Sequence, residues 1–294
     1  MSRVYMKKAF LFFLLFFSQL ISVDRGSSAP LISGDTFRSF CDHIFDETTP
    51  SFNAANVKAG DIVFVKTDKL LRYFKRFHRN IKHPYILLTH NSDLPIPGAY
   101  AKYLDDSKLI AWFGQNVENF SHPKLIPIPI GLANRMWDHG NPDIFLEKIQ
   151  NLNTFAREFL VYINFSISTY PTERTHVYNL FANTPYCTVS GMKALPLYLD
   201  DVLRAKFVLS PRGNGLDCHR TWEALLMGAI PIVRTSSSDS LYDDLPVVIV
   251  NSWEEVNQSV LEKKYSEMLL KKYNLNKKYI YYWLELIRSF QEKI

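Results

Sequence analysis

The sequence predicts an α/β fold in two halves of similar size, and three observations support this prediction. Short apolar runs alternate with helical patterns along most of the chain. These runs are continuous in Val, Ile and Leu, as parallel strands covered by helices on both faces are. A second series of alternations begins near residue 156, so we place one domain at residues 31–155 and another at residues 156–294. Strand–helix alternation of this kind is typical of βαβ units around a parallel sheet.

The first half is predicted to contribute four strands, at residues 61–67, 84–90, 108–114 and 124–132. Between the first two, residues 70–81 mix apolar and basic side chains at helical spacing, which predicts an amphipathic helix. The strand ending at residue 90 runs into a turn-like segment that is rich in Asn, Ser, Asp and Pro. A further helical pattern covers residues 142–159 and closes this half.

The second half is predicted to contribute strands at residues 160–166, 204–211, 229–235 and 245–252. A helix over residues 171–183 has Pro171 near its start, where proline is favoured. A second helix is predicted over residues 216–228, and the chain closes with a long, highly charged helical region from residue 253 onward.

Composition narrows the class of protein. The 294 residues are 47% hydrophobic and 21% charged, which fits a globular chain with a core. A net charge of +5 is too mild for a nucleic-acid binder, but it is compatible with anionic ligands such as nucleotide phosphates. The cysteines Cys41, Cys187 and Cys218 are widely spaced and show neither a disulfide framework nor metal-ligand spacing. A single disulfide stays open for an oxidising compartment.

The N-terminus predicts entry into the secretory pathway. Arg3, Lys7 and Lys8 precede an apolar run over residues 9–23, and a polar Ser/Gly/Ala/Pro stretch follows. This pattern over residues 1–30 indicates a cleaved signal peptide, with an uncleaved signal anchor in the membrane as the alternative. We expect the ER or Golgi lumen, or membrane association in a bacterial or viral setting. Three N-x-S/T sequons, at Asn119, Asn164 and Asn257, fit a lumenal glycoprotein.

The segment at residues 209–233 is predicted to bind phosphate. A strand runs into a glycine-rich turn and then a helix, and a helix N-terminus offers free backbone N–H groups to an anion. Arg220 and Glu223 stand three residues apart and share a helix face, so Glu223 can accept from a sugar hydroxyl. We expect Arg212 to clamp a diphosphate from the turn. The turn residues are Arg212, Gly213, Asn214 and Gly215.

The spacing leaves a second interpretation open. It is neither GxGxxG nor a P-loop. A tight turn followed by a surface ion pair between Arg220 and Glu223 would account for the same residues.

Residues 206–255 resemble the donor-binding segment of exostosin-like glycosyltransferases, the family 47 type. In that family a Pro-Arg-Gly turn is followed by an Arg, a Glu-Ala pair and a G-x-I-P-V stretch. The matching positions here are Pro211, Arg212, Gly213, Arg220, Glu223, Ala224, Gly228, Ile230, Pro231, Leu245, Pro246 and Trp253. Residues 217–219, Asp-Cys-His, match no family residue, and their role stays open.

The resemblance implies a GT-B fold, in which two Rossmann-like domains face a cleft. It implies a glycosyltransferase that moves a sugar from a nucleoside-diphosphate sugar, bound by the C-terminal half, to a glycan or protein acceptor on the N-terminal half. Arg212 and Arg220 would hold the diphosphate, and Glu223 the ribose or sugar hydroxyls. The expected reaction is inverting and uses no cofactor or metal, in agreement with the absence of a DxD triplet from the sequence. The alternatives are a fucosyltransferase-like GT-B enzyme and a non-catalytic lumenal protein that binds a sugar or nucleotide.

Inversion requires a general base from the N-terminal half. His90 and Asp93, just past a predicted strand, are the candidates; a strand cap at His90 and a turn residue at Asp93 are the alternatives, and the sequence favours these alternatives. In the C-terminal half, the loop after the strand at 160–166 places Ser166 and Arg174 where they could contact the donor diphosphate. A solvated position is the alternative for Arg174.

Overall fold

The computed structural model describes residues 24–292 of the chain. Most of the predicted signal peptide or anchor at residues 1–30, including its apolar run at residues 9–23, therefore lies outside the described residues. Across residues 24–292, no helix combines the length and the apolar character needed to cross a membrane.

A five-stranded, all-parallel sheet forms the first half, with its strands in the chain order β1-β2-β3-β4-β5. Its central strands are buried along nearly their whole length, which explains why they appear as continuous apolar runs. The elements are β1 (His43–Phe45), β2 (Ile62–Lys66), β3 (Tyr85–His90), β4 (Leu109–Gly114) and β5 (Leu125–Pro127), with α1 (Gly34–Ser39) before the sheet, α2 (Leu70–Arg76) between β2 and β3, and α3 (Pro142–Gln150) after β5.

A second five-stranded parallel sheet follows, in the order β10-β9-β8-β6-β7. The order reverses at β6, so the chain builds outward from the middle of the sheet, as it does in doubly wound folds. The elements are β6 (Phe159–Ile163), α4 (Pro171–Phe181), β7 (Cys187–Val189), α5 (Leu195–Leu203), β8 (Ala205–Leu209), α6 (His219–Leu226), β9 (Ile230–Arg234), β10 (Val248–Val250), α7 (Gln258–Leu269) and α8 (Ile280–Gln291). Several connections also contain single 3-10 turns.

The last helix crosses back to the first half. Trp283 and Ile287 of α8 pack in one core cluster with Ile86 and Phe113 of the first sheet. Conversely, Phe145 of α3 packs with α5 of the second half. The division at residues 31–155 and 156–294 remains a prediction, and packing assigns α3 and α8 to the opposite halves from those in which the sequence places them.

The structure confirms the predicted α/β class with two parallel sheets, and it differs in some element bounds. The segment predicted as a strand over residues 124–132 is a strand only to Pro127, because prolines at 127 and 129 have no N–H for a sheet ladder. The helix predicted over residues 70–81 ends at Arg76 and continues as a 3-10 turn, His78–Asn80. The helix predicted over residues 142–159 ends at Gln150. The strands β1 and β7 and the helix α5 were not predicted.

Loops from the carboxyl ends of both sheets meet at one cleft. Asp93 follows β3, Ile130 follows β5, Ser166 follows β6 and Gly213 follows β8, and all four line the same cavity. Ligands of open α/β sheets bind at this end of the strands. The arrangement is that of two Rossmann-like halves facing a cleft.

Candidate functional site

The cleft contains a cavity of about 440 Å³ between the two halves. The first half contributes Asp93, Ile130 and His139, whereas most of the wall comes from the loops and helices of the second half. Of the predicted site residues, the following line this cavity: Asp93, Ser166, Arg174, Gly213, Asn214, Gly215, Arg220 and Glu223. The structure therefore brings together eight of the ten.

The glycine-rich turn is packed closely against the first half. The amide of Asn214 donates to the carboxylate of Asp93 across the cleft, at 2.9 Å. A Cβ atom on Gly215 would lie 2.4 Å from the side-chain oxygen of Asn116, so only glycine fits there without displacing that side chain. Residues of the first half therefore hold the glycine-rich turn in place beside the cavity.

Arg174 and Arg220 place positive charge on the cavity wall without a carboxylate partner. Arg174 is 4% exposed and donates to the backbone carbonyls of Ser166 (2.7 Å) and Arg212 (2.9 Å). Arg220 donates through Nε to the carbonyl of Asn164 at 2.8 Å, and its buried Nη1 has no hydrogen-bond partner. In the part of the chain that the structure describes, neither guanidinium forms an ion pair.

The two cations lie on one aromatic ring and affect one another. Their guanidinium carbons are 5.7 Å (Arg174) and 5.6 Å (Arg220) from the centroid of Phe165. Burial and the neighbouring charge of Arg220 lower the pKa of Arg174. An anion bound beside them would offset the repulsion between the two guanidinium groups, because neither arginine forms an ion pair of its own within the described residues.

Glu223 is buried and faces the same cavity. It accepts a hydrogen bond from the hydroxyl of Tyr198 at 2.9 Å, and burial raises its pKa. The ion pair between Arg220 and Glu223 that the sequence left open is not formed within the described residues. Glu223 therefore presents a hydrogen-bond acceptor beside the two arginines.

Arg212 points away from this cavity. Its guanidinium carbon lies 4.6 Å from the centroid of the Tyr170 ring, and Nη1 is 3.5 Å from Glu118 of the first half. It lines a separate, smaller cavity on the other side of the turn. Its expected role as a diphosphate clamp stays a prediction, and in this conformation Arg212 joins the two halves instead.

The two candidate bases differ in availability. His90 is 2% exposed, its Nδ1 accepts from the backbone N–H of Asn91 at 2.7 Å, and its Nε2 donates to the carbonyl of Pro129 at 3.1 Å. Burial lowers the pKa of His90 to about 4. Both ring nitrogens are thus occupied, and no lone pair is left for an acceptor hydroxyl. Asp93, by contrast, is exposed at the mouth of the cleft.

The segment Asp217–His219, whose role the sequence left open, joins the halves. Asp217 accepts from the backbone N–H of Ile130 at 2.8 Å and from the side chains of Trp222 and Tyr242. The Nδ1 of His219 donates to the carbonyl of Gly131 at 2.7 Å, and the Cys218 sulfur accepts from the N–H of Gly213. This segment fixes α6 and the glycine-rich turn against the loop after β5.

Sequence reasoning missed other lining residues, namely Asn164, Lys193, Tyr198 and His139. Tyr198 lies on α5, a helix that was not predicted. Its partner Glu223 lies on a different helix, α6, so no local spacing in the sequence links the two residues. His139 lies in a 3-10 turn, Asp138–Gly140, far from any predicted strand end. Asn164 was noted as a sequon and as the start of the loop after the strand at residues 160–166, but it was given no role of its own. It lines the cavity, so a glycan on it would conflict with ligand binding there.

A second cavity of about 370 Å³ adjoins the first on the side of the N-terminal half. Asp93, Ile130, His139 and His219 line both cavities. Within residues 24–292, no group of three or more His, Cys, Asp or Glu side chains is arranged to hold a metal ion. The expectation that the reaction uses neither metal nor cofactor stays a prediction.

Comparisons with known proteins concern the second half above all. Residues 180–294, less than half of the chain, match the family model described as the RXYLT1 C-terminal domain. That range contains the turn, α6 and Glu223. No curated protein sequence matches the chain.

Some solved structures resemble the chain weakly. A glycosyltransferase from Rickettsia africae ESF-5 is 11% identical, with 78% of this chain and 76% of that one covered, at a TM-score of 0.37. A GtfA/B complex is 13% identical, with 80% and 58% covered, at a TM-score of 0.38. The UDP-GlcNAc 2-epimerase from Methanocaldococcus jannaschii is 12% identical, with 72% and 70% covered, at a TM-score of 0.35.

Proposed function

We propose that this protein is a glycosyltransferase that moves a sugar from a nucleoside-diphosphate sugar to a glycan or protein acceptor. The observation that carries the proposal is the pair Arg174 and Arg220, which lie at the cavity wall with no carboxylate partner in the described chain. Arg174 is buried, Arg220 is partly buried with an unpartnered Nη1, and an anionic ligand would supply the ion pair that both arginines lack. The resemblance of residues 206–255 to exostosin-like enzymes and the match of residues 180–294 support the same function.

Donor binding follows from the cavity wall. The diphosphate would lie between Arg220 and Arg174, close to the glycine-rich turn and the N-terminus of α6, whose N–H groups favour an anion. Glu223, held by Tyr198, would accept from a hydroxyl of the ribose or of the sugar. Backbone contacts at Gly213 need no side chain and allow the phosphates to approach closely.

Transfer would proceed with inversion, and Asp93 would act as the general base. The acceptor hydroxyl gives its proton to Asp93 while its oxygen forms a bond to the anomeric carbon. The bond from that carbon to the phosphate oxygen breaks, and the diphosphate leaves as an anion beside the two arginines. Positioned cations of this kind stabilise the developing charge without a metal.

The N-terminal segment and the glycine-rich turn also support a cellular location and a family. We place the enzyme in the secretory pathway, in the ER or Golgi lumen, because residues 1–30 have the pattern of a signal peptide or anchor. We assign it to the exostosin-like group on the residues that match that group's turn and helix. Arg212, engaged with Glu118 here, would reach the donor only after that contact opens.

The donor site is tested by thermal shift with UDP, GDP and CMP, and with the corresponding nucleotide sugars. One nucleoside diphosphate should raise the melting temperature of the wild-type protein. Arg220→Ala should weaken its binding by about tenfold to a hundredfold, because one charge-assisted contact is worth about 1.5–3 kcal/mol. Arg79→Ala, which removes an exposed arginine outside the cleft, is the matched control and should bind as wild type does.

Turnover of a nucleotide sugar distinguishes a glycosyltransferase from a non-catalytic binding protein. Release of free sugar or transfer to an acceptor, lost in Asp93→Asn while nucleotide binding persists, supports the transferase. Binding without any turnover of a nucleotide sugar would leave a non-catalytic sugar- or nucleotide-binding protein. The absence of a thermal shift with all three nucleotides would overturn the donor site itself.

A further inference from the structure

We infer that the second cavity is the acceptor subsite and that it takes a neutral sugar ring, stacked on the indole of Trp137. This inference rests on the proposed function, and it adds the chemical class of the acceptor and the side chain that selects it. The four residues shared by the two cavities show that the cavities adjoin one another. A ring in the second cavity therefore adjoins a donor sugar in the first.

Trp137 is the feature that points to a sugar. It lines the second cavity, it is 54% exposed, and it is absent from the wall of the first. Its ring lies nearly parallel to the imidazole of His139, at 6.3 Å between centroids and 25° between planes. An exposed aromatic face is the surface on which the apolar C–H face of a pyranose packs.

A buried polar group in the same cavity supports the same ligand. Gln115 lies directly after β4, is 2% exposed and lines the cavity, and its Oε1 has no hydrogen-bond partner. A buried amide oxygen without a partner is unfavourable. A ligand hydroxyl entering beside it would supply the missing donor with a small movement of the side chain.

The charges of the cavity argue for a neutral ligand. Its two basic residues are already compensated: Arg25 contacts Asp35 at 2.7 Å and Asp46 at 3.5 Å, and Lys66 lies 3.4 Å from Glu47. This pairing contrasts with the unpaired Arg174 and Arg220 of the first cavity. Arg25 and Lys66 are therefore not available to neutralise an anionic ligand. A neutral polyol needs no such neutralisation.

The position of Asp93 agrees with this assignment. Asp93 lines both cavities, so the proposed base is shared by the donor site and the proposed acceptor subsite. Trp137 itself acts as a positioning residue, since it touches the acceptor but not the reacting atoms.

Tryptophan fluorescence tests the inference directly. The chain has five tryptophans, and Trp112, Trp222, Trp253 and Trp283 are each at most 3% exposed, so a ligand-dependent change in exposure reports Trp137. Neutral methyl hexopyranosides, titrated into the full chain well into the millimolar range, should give a saturable blue shift with at least one sugar. Glucose 6-phosphate, the charged comparator, should bind more weakly.

Variants complete the test. Trp137→Ala should abolish the shift and, in transfer assays, raise the acceptor KM by about tenfold, as the loss of one aromatic contact does. Trp137→Phe should restore much of the acceptor affinity, and Tyr281→Ala, an exposed aromatic on α8, is the matched control. Nucleotide-induced thermal shifts should be unchanged in all three.

The outcomes separate the two proposals. A nucleotide shift without any sugar-dependent fluorescence change overturns the acceptor subsite and leaves the donor site standing. A fluorescence change that persists in Trp137→Ala, or tighter binding of the phosphate than of the neutral sugars, also overturns it. A sugar response without a nucleotide shift would retain the subsite and remove the donor site.

Discussion

At the residue scale, Asp217 accepts hydrogen bonds from both halves of the molecule. Its donors are the N–H of Ile130 in the first half, and the indole of Trp222 and the hydroxyl of Tyr242 in the second. Burial raises the pKa of its carboxyl, while these donors favour the ionised form. All its partners donate, so an acceptor-only side chain is required at this position.

Replacing that carboxylate should therefore destabilise the whole protein. In Asp217→Asn, an amide N–H group would face donors, and we expect the free energy of unfolding to fall by about 3 kcal/mol. Urea denaturation followed by circular dichroism measures this loss. Asp105→Asn, an exposed carboxylate, should change stability little. Equal stability of the two variants would mean that Asp217 is not a structural link.

At the element scale, the connection between β8 and α6 decides the shape of the donor cavity. It is packed against the loop after β4, where Asn116 has a positive φ of 57° and contacts the turn. Asn214 reaches Asp93 from the same connection. The turn is thus held in place by the opposite half, not by its own strand and helix alone.

A single methyl group tests this fit. Gly215→Ala would place a Cβ 2.4 Å from the Asn116 side chain, so we expect a loss of about 1–3 kcal/mol in stability and weaker nucleotide binding. Gly191→Ala is the matched control, because a Cβ there has no heavy atom within 4 Å. Thermal denaturation with and without nucleoside diphosphate measures both effects. Identical behaviour of the two alanine variants would contradict the close fit.

At the scale of the whole molecule, buried histidines make stability depend on pH. Burial lowers the pKa of His78, His90 and His219, so each stays neutral in the folded chain where it would be protonated in the unfolded one. The unfolded chain then binds more protons, and stability falls as the pH falls. Burial raises the pKa of Asp35, Asp217 and Glu223, which act in the opposite direction.

A variant isolates the histidine contribution. The pKa of His90 falls from 6.5 to about 4, so its contribution is lost as the pH falls from about 6.5 toward 4. The slope from one proton is at most about 1.4 kcal/mol per pH unit. His90→Gln, which keeps a donor and an acceptor, should lose less stability than wild type over this range in urea titrations at fixed pH. Parallel pH profiles of the two proteins would refute this contribution.

Structural features that depend on residues close together in the sequence could be predicted, whereas those that depend on distant residues could not. The strands β6, β8 and β9 were predictable because each is a continuous apolar run. In contrast, β1 and β7 are three-residue strands at sheet edges, only partly buried, and leave no such run. These segments are strands because they pair with β2 and β6, respectively, and the sequence does not show this pairing.

The same distinction between local and distant contacts holds for the residues of the candidate site. Arg220 and Glu223 were predictable as a pair because three residues on a helix set one face. The direction of Arg212 was not, because it depends on Glu118 and Tyr170, which are distant in sequence. His90 was placed correctly at a strand end, but its hydrogen bond to the carbonyl of Pro129, which belongs to another connection, could not be predicted, and its role as a base stays a prediction.

The return of α8 to the first sheet has a consequence for biosynthesis. This helix follows the ten strands of the described residues, so residues 280–291 leave the ribosome after the sheet that they cover. Until then Ile86 and Phe113 lack part of their packing. A premature stop before residue 280 would thus damage the half that was translated first.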